Sequence, residues 1–192
     1  MELDEHHISG PEIEALARRL DRSVVLVGLM GVGKTTVGRK LAATLHLPFA
    51  DADEAIEQAA QLSIPEIFER HGEAEFRDGE RRVIARLIGE QGNRHQVIAT
   101  GGGAFCNAAT RALILERAIA VWIDSDIDVL VERTARRDNR PLLRQGDPRE
   151  TLLRLKAERE QFYAQAPIHV ISGKAAHTRT VEQICKEIAA WL

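Results

Sequence analysis

The residues most able to carry out chemistry lie in the short segment 28–35, GLMGVGKT. Its spacing matches the phosphate-binding pattern G-x-x-x-x-G-K-[ST], and it lies between an apolar run and a helical pattern, as that motif requires. Glycines let consecutive backbone N–H groups turn towards an anion, and the start of a helix adds the positive end of its dipole. The alternative is a glycine-rich turn that only links a strand to a helix.

This segment predicts a site for a nucleoside triphosphate with its magnesium ion. Lys34 can reach the β- and γ-phosphate oxygens, and the hydroxyl group of Thr35 can bind the Mg²⁺ that accompanies ATP. We therefore expect ATP and Mg²⁺ as the cofactors. The residues in and directly after this segment that are predicted to contact ATP are Gly31, Val32, Gly33, Lys34, Thr35 and Thr36.

Two carboxylates follow the second apolar run, in the sequence PFADADE. Strand periodicity puts Asp51 and Asp53 on the same side, at the carboxyl edge of the predicted sheet, where α/β sites form. One carboxylate can support the magnesium ion, and the other can accept a proton from the hydroxyl group of a phosphoryl acceptor. Asp53 has a plainer alternative, as the N-cap of a helix that starts near Glu54.

Asp124 competes for the role of magnesium carboxylate. It ends the apolar run AIAVWID, and an aspartate in that place is typical of a generic Walker B residue. It also precedes a helical segment, so it could instead be a helix cap. Spacing alone leaves these alternatives open.

An arginine and a glycine cluster are further candidates for a site. Arg77 lies in the charged segment IFERHGEAEFRDGE, and Glu80 three residues later can hold its guanidinium group in place. A solvated helix face has a similar composition. Gly101, Gly102 and Gly103 follow the third apolar run. Three successive glycines at the carboxyl edge of a sheet indicate close approach by a ligand or by another backbone segment.

Apolar runs that alternate with helical patterns provide the scaffold for these residues. Each connection between the runs is long enough for a crossover helix, so the strands should form a parallel sheet with helices on both faces. The predicted fold class is therefore a three-layer α/β/α domain. Five short buried strands are predicted, at residues 24–27, 47–50, 97–100, 119–123 and 168–171.

The domain is predicted to span residues 23–192, with an N-terminal extension at residues 1–22. Ser9 and Glu12 favour a capping box at the start of a short amphipathic helix in that extension. The polar stretch at approximately 134–147 is too long for a tight turn, so we expect a mobile lid there.

Composition limits the class of protein. The chain has 192 residues, of which 44% are hydrophobic and 29% charged, with a net charge of −3 and a pI of about 6.2. It lacks the basic excess that favours binding to nucleic acid or to an anionic membrane. Two cysteines without metal-like spacing favour a reducing compartment, and no run of apolar residues is long enough to span a bilayer. We expect a cytoplasmic protein without nucleic-acid or membrane partners.

In its motifs and their order, the chain resembles the shikimate kinases. The resemblance rests on the segments GLMGVGKTT, DAD, FERHGEAEFR, TGGGA, RPLL and EREQFYAQAP, which together span residues 28–167. It implies a P-loop NTPase fold with a five-stranded parallel sheet in the order 2-3-1-4-5. It also implies transfer of the γ-phosphoryl group of ATP to the 3-hydroxyl group of shikimate.

The resemblance also implies a role for each candidate residue. Asp51 would support magnesium through water, together with Thr35, and Asp53 would contact the shikimate hydroxyl groups and act as the base. Arg140 would be the lid arginine that covers the phosphates, and Arg133 would lie against the adenine. The implied catalytic residues are Asp53, Lys34 and Arg140. The implied shikimate-binding residues are Asp53, Arg77, Gly101, Gly102, Gly103 and Arg159.

Two other functions stay open. A related P-loop kinase for another hydroxy acid, such as gluconate, would share the phosphate loop and the lid. A non-catalytic domain that senses a small acid should have lost its base, its phosphate-loop lysine or its lid arginine, whereas Asp53, Lys34 and Arg140 are all present.

The segment after the last strand, ISGKAAHTRTVEQI, departs from the family pattern because it lacks a proline before the final helix. Nothing indicates a partner protein, so we expect a monomer.

Overall fold

The predicted apolar runs form the strands of a single sheet in the structure, a computed structural model that describes residues 8–89, 95–135, 147–173 and 177–192. The strands are β1 (Val24–Val27), β2 (Phe49–Asp51), β3 (Val97–Ala99), β4 (Ile119–Asp124) and β5 (Ile168–Ile171). The described helices are α1 (Gly10–Arg19), α2 (Lys34–Leu45), α3 (Ala52–Ala60), α4 (Ile64–Gly89), α5 (Ala108–Arg117), α6 (Ile127–Ala135), α7 (Pro148–Tyr163) and α8 (His177–Trp191). A short 3-10 turn, Ala104–Cys106, follows β3.

The strands lie in the order β2-β3-β1-β4-β5, and every neighbouring pair is parallel. Val24 at the start of β1 lies level with Val97 in β3 and with Ile119 in β4. The three-layer α/β/α fold and the strand order are therefore confirmed. Because β1 has β3 on one side and β4 on the other, the strand order changes direction there and opens a crevice at the carboxyl ends of these strands.

The second strand begins later than predicted. The prediction placed it at residues 47–50, but the backbone N–H of Leu47 donates to the carbonyl oxygen of Ala42 at 2.9 Å and so belongs to the end of α2. The strand ends at Asp51, and α3 begins at the next residue. Asp53 therefore lies on a helix and not on the strand, so strand periodicity was the wrong argument for its position.

The core covers both faces of the sheet because the central strands consist of apolar side chains. All four residues of β1 are fully buried, as is typical of parallel sheets with helices on both faces. Leu16 of α1 is 1% exposed and belongs to the same core. The carboxylate of Glu12 accepts hydrogen bonds from the backbone N–H of Ser9 at 2.8 Å and from its hydroxyl group at 2.6 Å. The helix of the N-terminal extension thus packs on the domain, while the boundary between them stays a prediction.

Helices α3 and α4 form a smaller cluster beside the main core. Their side chains Ile56, Ile67, Phe76 and Val83 are buried together. The backbone of α4 is kinked at Gly72, where φ is 79° and ψ is 176°. Because α3 follows β2 directly, this pair of helices stands at the carboxyl end of that strand.

The predicted lid, at approximately 134–147, lies mostly outside the described residues, so its structure stays a prediction. The helix that follows it, α7, begins at Pro148, and the side chain of Asp147 caps it by accepting the backbone N–H of Arg149 at 2.8 Å. Across the described ranges, no helix is long and apolar enough to cross a lipid bilayer.

Candidate active site

The phosphate loop turns sharply between β1 and α2, and two of its glycines are required by that path. Gly28 has a φ of 137°, and a Cβ atom there would collide with the carbonyl oxygen of Ile123 in β4. Gly33, with a φ of 95°, is the N-cap of α2. A side chain at either position would strain the backbone. Helix α2 therefore begins at the edge of the loop. Its first backbone N–H groups have no partner within the helix, so they are available to an anion.

Lys34 is the first residue of α2, and it is only 8% exposed. Its ammonium group donates to the carbonyl oxygens of Gly28 at 2.7 Å and Leu29 at 2.9 Å. A buried charge needs such partners, because its desolvation is otherwise costly. The positive charge therefore lies within the loop, beside the backbone groups that an anion would contact.

Thr35 and Asp51 bring two oxygen ligands together next to the loop. The hydroxyl group of Thr35 donates to Oδ2 of Asp51 at 2.7 Å, and Oδ1 of Asp51 accepts the backbone N–H of Asp53 at 3.1 Å. Asp51 is thus the N-cap of α3, and the interpretation of Asp53 as the cap is wrong.

The same pair of oxygens fits a magnesium ion. Mg²⁺ is usually bound through one or two protein oxygens together with water and substrate phosphates, and not by a cage of side chains. In the part of the chain that the structure describes, no group of three or more His, Cys, Asp or Glu residues could hold a metal ion by itself. Thr35 and Asp51 therefore suit an ion that arrives with a nucleotide.

Asp53 lies half-buried at the start of α3. Burial raises the pKa of its carboxyl group and Asp51 raises it further, while Lys34 and Arg77 act in the opposite direction. A Cβ atom on Gly101 would lie 2.7 Å from Oδ1 of Asp53. The missing side chain at Gly101 thus leaves room for the carboxylate, and a raised pKa is typical of a general base.

Arg77 is held by carboxylates of its own helix, α4. Its Nη1 donates to Oε2 of Glu80 at 2.8 Å, in agreement with the predicted i, i+3 contact, and its Nη2 donates to Glu73 at 3.4 Å. Glu80 is 1% exposed; burial raises its pKa against the opposing effect of Arg77. A Cβ atom on Gly103 would lie 2.7 Å from Nη2 of Arg77. The guanidinium group is therefore fixed against the backbone of Gly103.

Arg159 reaches the same glycine turn from α7. Its Nη1 donates to the carbonyl oxygen of Gly102 at 3.2 Å, and a Cβ atom on Gly102 would lie 3.6 Å from that nitrogen. The three successive glycines thus each face one charged group, respectively Asp53, Arg159 and Arg77. One carboxylate and two guanidinium groups, distant in the sequence, meet around a single turn of backbone.

The glycine turn also lies directly against the phosphate loop. A Cβ atom on Gly102 would lie 3.3 Å from the backbone nitrogen of Met30 and 3.6 Å from the carbonyl oxygen of Gly28. The charged cluster and the loop therefore border one crevice. Phosphoryl transfer requires this arrangement, because the reacting groups must be held within a few ångströms of each other.

Arg133 connects the phosphate loop with the end of β5. Its guanidinium group donates to the carbonyl oxygens of Val32 at 3.1 Å and Gly173 at 2.7 Å, and burial lowers its pKa. The structure thus places Arg133 between the phosphate loop and the residues that follow β5. Arg140, the predicted lid arginine, lies outside the described residues.

Asp124, the competing candidate for a magnesium carboxylate, is paired with a lysine. Its two carboxylate oxygens lie 2.9 Å and 3.0 Å from Nζ of Lys156, and one of them accepts the backbone N–H of Ser125 at 2.8 Å. Asp51, in contrast, is bonded to the threonine of the phosphate loop. The geometry favours Asp51 over Asp124 for the magnesium role.

Two residues near the site were missed by sequence reasoning. The hydroxyl group of Tyr163 donates to the carbonyl oxygen of Gly102, and the segment EREQFYAQAP was the available signal. The ring of His177, the first residue of α8, would lie 3.1 Å from a Cβ atom on Gly33. Its Nδ1 is buried without a hydrogen-bond partner in the described structure. The sequence around His177 departs from the family pattern, so nothing pointed to it.

Comparison with known proteins identifies the family. The model of the shikimate kinase family matches residues 30–192. The chain belongs to the shikimate kinase family. A curated shikimate kinase from Novosphingobium aromaticivorans is 63% identical over 193 residues, and the match covers 100% of both chains. The solved structure of a shikimate kinase from Acinetobacter baumannii in complex with shikimate has a TM-score of 0.82 and 34% identity, covering 95% of this chain and 98% of that one.

A gluconokinase from Sinorhizobium meliloti is also similar in structure. Its TM-score is 0.60 at 16% identity, and the match covers 91% of this chain and 95% of that one. This likeness shows the fold alone. It illustrates that a P-loop scaffold does not decide the acceptor, so the acceptor must be argued from the residues around the glycine turn.

Proposed function

We propose that this chain transfers the γ-phosphoryl group of ATP to the 3-hydroxyl group of shikimate, giving shikimate 3-phosphate and ADP. The observation that carries the proposal is the meeting of Asp53, Arg77 and Arg159 around the glycine turn, directly against the phosphate loop. Family membership and the shikimate-bound relative support it. One carboxylate and two guanidinium groups suit a small acceptor that carries a carboxylate and hydroxyl groups.

In the acceptor pocket, the chain orients shikimate and removes a proton from it. Arg77 and Arg159 bind the carboxylate of the acceptor through charge-assisted hydrogen bonds. Asp53 accepts the proton of the 3-hydroxyl group as the oxygen of that group attacks the γ-phosphorus, and the bond from the γ-phosphorus to the leaving oxygen of ADP breaks. The three glycines, residues 101–103, line the acceptor, and side chains there would occupy its space.

At the nucleotide end, the chain binds the phosphates and offsets their negative charge. The backbone N–H groups of the loop and Lys34 contact the phosphate oxygens. Thr35 and Asp51, the latter through water, would hold Mg²⁺, which neutralises charge on the phosphoryl oxygens when it is bound. Arg133 would lie against the adenine, and Arg140 would cover the phosphates from the lid. Placement and charge neutralisation then carry most of the catalysis.

Acceptor-dependent release of ADP tests the proposal. Release should require shikimate and should be much slower with other hydroxy acids, gluconate included. Faster release with gluconate would favour the alternative kinase, release without any acceptor would indicate an ATPase, and binding of shikimate without release would indicate a sensor domain. Lys34→Met keeps the length of the side chain but removes its charge, so it should abolish release with every acceptor.

We also propose that the protein acts as a monomer in the cytoplasm, where ATP is available. Light scattering during size-exclusion chromatography tests the oligomeric state.

A chain that starts at residue 23 tests the division into an extension, residues 1–22, and a domain, residues 23–192. Because Leu16 is buried in the core, this chain should melt at a lower temperature but keep its activity. The predicted lack of nucleic-acid and membrane partners stays a prediction.

A further inference from the structure

An ion pair at the end of β4 lies outside the proposed reaction. Lys156 of α7 donates to both carboxylate oxygens of Asp124, at 2.9 Å and 3.0 Å, and to the carbonyl oxygen of Ser125 at 3.3 Å. The sequence suggested that Asp124 is either a magnesium ligand or a helix cap, and neither interpretation includes a lysine partner. The contacts instead connect α7 with the carboxyl edge of the sheet.

The position of Lys156 on its helix relates this ion pair to the acceptor pocket. Lys156, Arg159 and Tyr163 lie at positions i, i+3 and i+7 of α7, so they share one face. Arg159 is about 4.5 Å further along the helix axis than Lys156. Both Arg159 and Tyr163 donate to the carbonyl oxygen of Gly102. Along this face, Lys156 contacts Asp124 before Arg159, and Tyr163 contacts Gly102 after it.

Burial distinguishes the pair from an exposed ion pair of the same helix. The side chains of Lys156 and Asp124 are 25% and 17% exposed, whereas those of Arg154 and Glu158 are 62% and 52% exposed. Exposed pairs contribute little, because water and salt screen the charges. A partly buried pair holds its geometry more firmly, since the loss of one partner leaves the other charge poorly solvated.

We propose that Lys156 is a positioning residue for Arg159. By pairing with Asp124, it sets the distance between α7 and the sheet and so places Arg159 where the carboxylate of the acceptor binds. This inference rests on the proposed function.

The two arginines of the pocket differ in their support. Arg77 is held by Glu80 of its own helix, so its orientation is determined within α4. Arg159 interacts with Tyr163 of its own helix but donates to the backbone of Gly102, which belongs to another element, so its position at the glycine turn depends on where α7 lies. A small displacement of a residue that positions a substrate has a large effect on activity.

Lys156→Met tests the inference, because it keeps the length of the side chain and removes its charge. We expect the KM for shikimate to rise on the order of tenfold, while the KM for ATP stays within about twofold and kcat falls less than the KM for shikimate rises. Asp124→Asn should give the same shift from the other partner, and the double variant should do no more harm than either single one. Lys156→Arg, which can still pair, should restore most of the affinity.

Arg154→Met is the matched control, since it removes an exposed charge from the same helix and should change neither KM. An unchanged KM for shikimate in both Lys156→Met and Asp124→Asn would overturn the inference. Equal increases in both KM values with a lower melting temperature would also overturn it, because a merely structural role gives that result. If Lys156→Met does not fold, Asp124→Asn and Lys156→Arg provide the same comparison.

Arg159→Ala separates this inference from the proposed function. If Arg159→Ala binds shikimate normally, the role proposed for Arg159 is wrong and the inference is wrong with it. If Arg159→Ala weakens shikimate binding alone and Lys156→Met does not, only the inference fails.

Discussion

The nucleotide end and the proposed acceptor pocket of this molecule are built in different ways. The phosphate loop is one continuous segment, and Lys34 bonds to carbonyl oxygens within it. The acceptor pocket draws Asp53, Arg77 and Arg159 from three different helices, and these residues meet only around the glycine turn. Backbone forms most of the first site, and side chains form most of the second.

Because the two sites are built differently, they can recognise different features of a ligand. A nest of backbone N–H groups recognises phosphate, which many substrates share, whereas a set of charged side chains recognises one arrangement of carboxylate and hydroxyl groups. Changes in the acceptor pocket should therefore alter turnover or the KM for shikimate and leave the KM for ATP nearly unchanged. Changes in the phosphate loop should alter turnover with every acceptor.

Asp53→Asn is the strongest test of this comparison. The substitution keeps the shape of the side chain and removes its ability to accept a proton, so kcat should fall by about 10²-fold to 10⁴-fold. The KM for ATP should change little, because Asp53 belongs to the acceptor pocket. Steady-state kinetics with both substrates varied provide the measurement. Glu54→Gln is the control, since the neighbouring carboxylate is exposed on the same helix and should be dispensable.

A nearly unimpaired Asp53→Asn variant would mean that the carboxylate does not act as the base. A helix-capping role would not explain its position either, because Asp51 caps α3. The raised pKa of Asp53 would then be a consequence of its burial and of Asp51 without a role in the reaction.

Arg77→Ala should weaken shikimate binding much more than ATP binding. Loss of a charge-assisted hydrogen bond to the acceptor carboxylate should raise the KM for shikimate about 10-fold to 100-fold. Arg77→Ala also leaves Glu80 buried without its closest cation, so the melting temperature should fall. The ratio of the two KM values is therefore the decisive measurement. Arg81→Ala, which breaks an exposed pair with Asp78 on the same helix, provides the control.

The sequence predicts the nucleotide end better than the acceptor pocket, and the reason is physical. Lys34 and the loop glycines lie within one short segment, so their spacing alone defines the motif. Lys156 and Asp124 are 32 residues apart, and the contact between them depends on how α7 packs against the sheet. Local patterns do not encode such packing. The resemblance to the family, and not spacing, assigned Arg159 to the pocket.

The end of β2 illustrates a second limit. An aspartate that ends a strand and an aspartate that caps a helix look alike in the sequence, and Asp51 is both. Strand periodicity therefore placed Asp53 on the strand, whereas it lies in the first turn of α3. The prediction reached the correct edge of the sheet, but the hydrogen bonds of Asp51 decide which carboxylate faces the phosphate loop.

Asp51→Asn and Asp124→Asn compare the two candidates for the magnesium carboxylate. Asparagine is also a good N-cap, so Asp51→Asn should keep α3 intact while it weakens the apparent affinity for Mg²⁺ by about tenfold or more. Asp124→Asn should leave the Mg²⁺ dependence unchanged when shikimate is saturating. Magnesium titrations of ADP release measure both. The reverse pattern would favour the generic Walker B interpretation of Asp124.

Gly103→Ala tests whether close approach of Arg77 requires a glycine. The new methyl group would lie 2.7 Å from Nη2 of Arg77, so the guanidinium group must move and the KM for shikimate should rise about tenfold. Gly79→Ala is the matched control, because its Cβ atom would meet no atom within 4 Å and alanine favours the helix. Equal activity of both variants would mean that Arg77 is not constrained by the glycine turn.

The smallest expected effect is on stability, and it has the opposite sign to the effect on activity. Burial raises the pKa of Asp53 above its ordinary value of 3.8, so folding favours the protonated form. The stabilising contribution of Asp53 is therefore present below pH 3.8 and is lost as the pH rises through the pKa of Asp53 in the folded protein.

Because Asp53→Asn removes this charge, the variant should melt at a higher temperature than the wild type at neutral pH. The difference should shrink as the pH is lowered. Thermal unfolding of both proteins across that range provides the measurement. A variant that melts at a lower temperature at neutral pH would mean that Lys34 and Arg77 stabilise the ionised carboxylate more than its burial destabilises it.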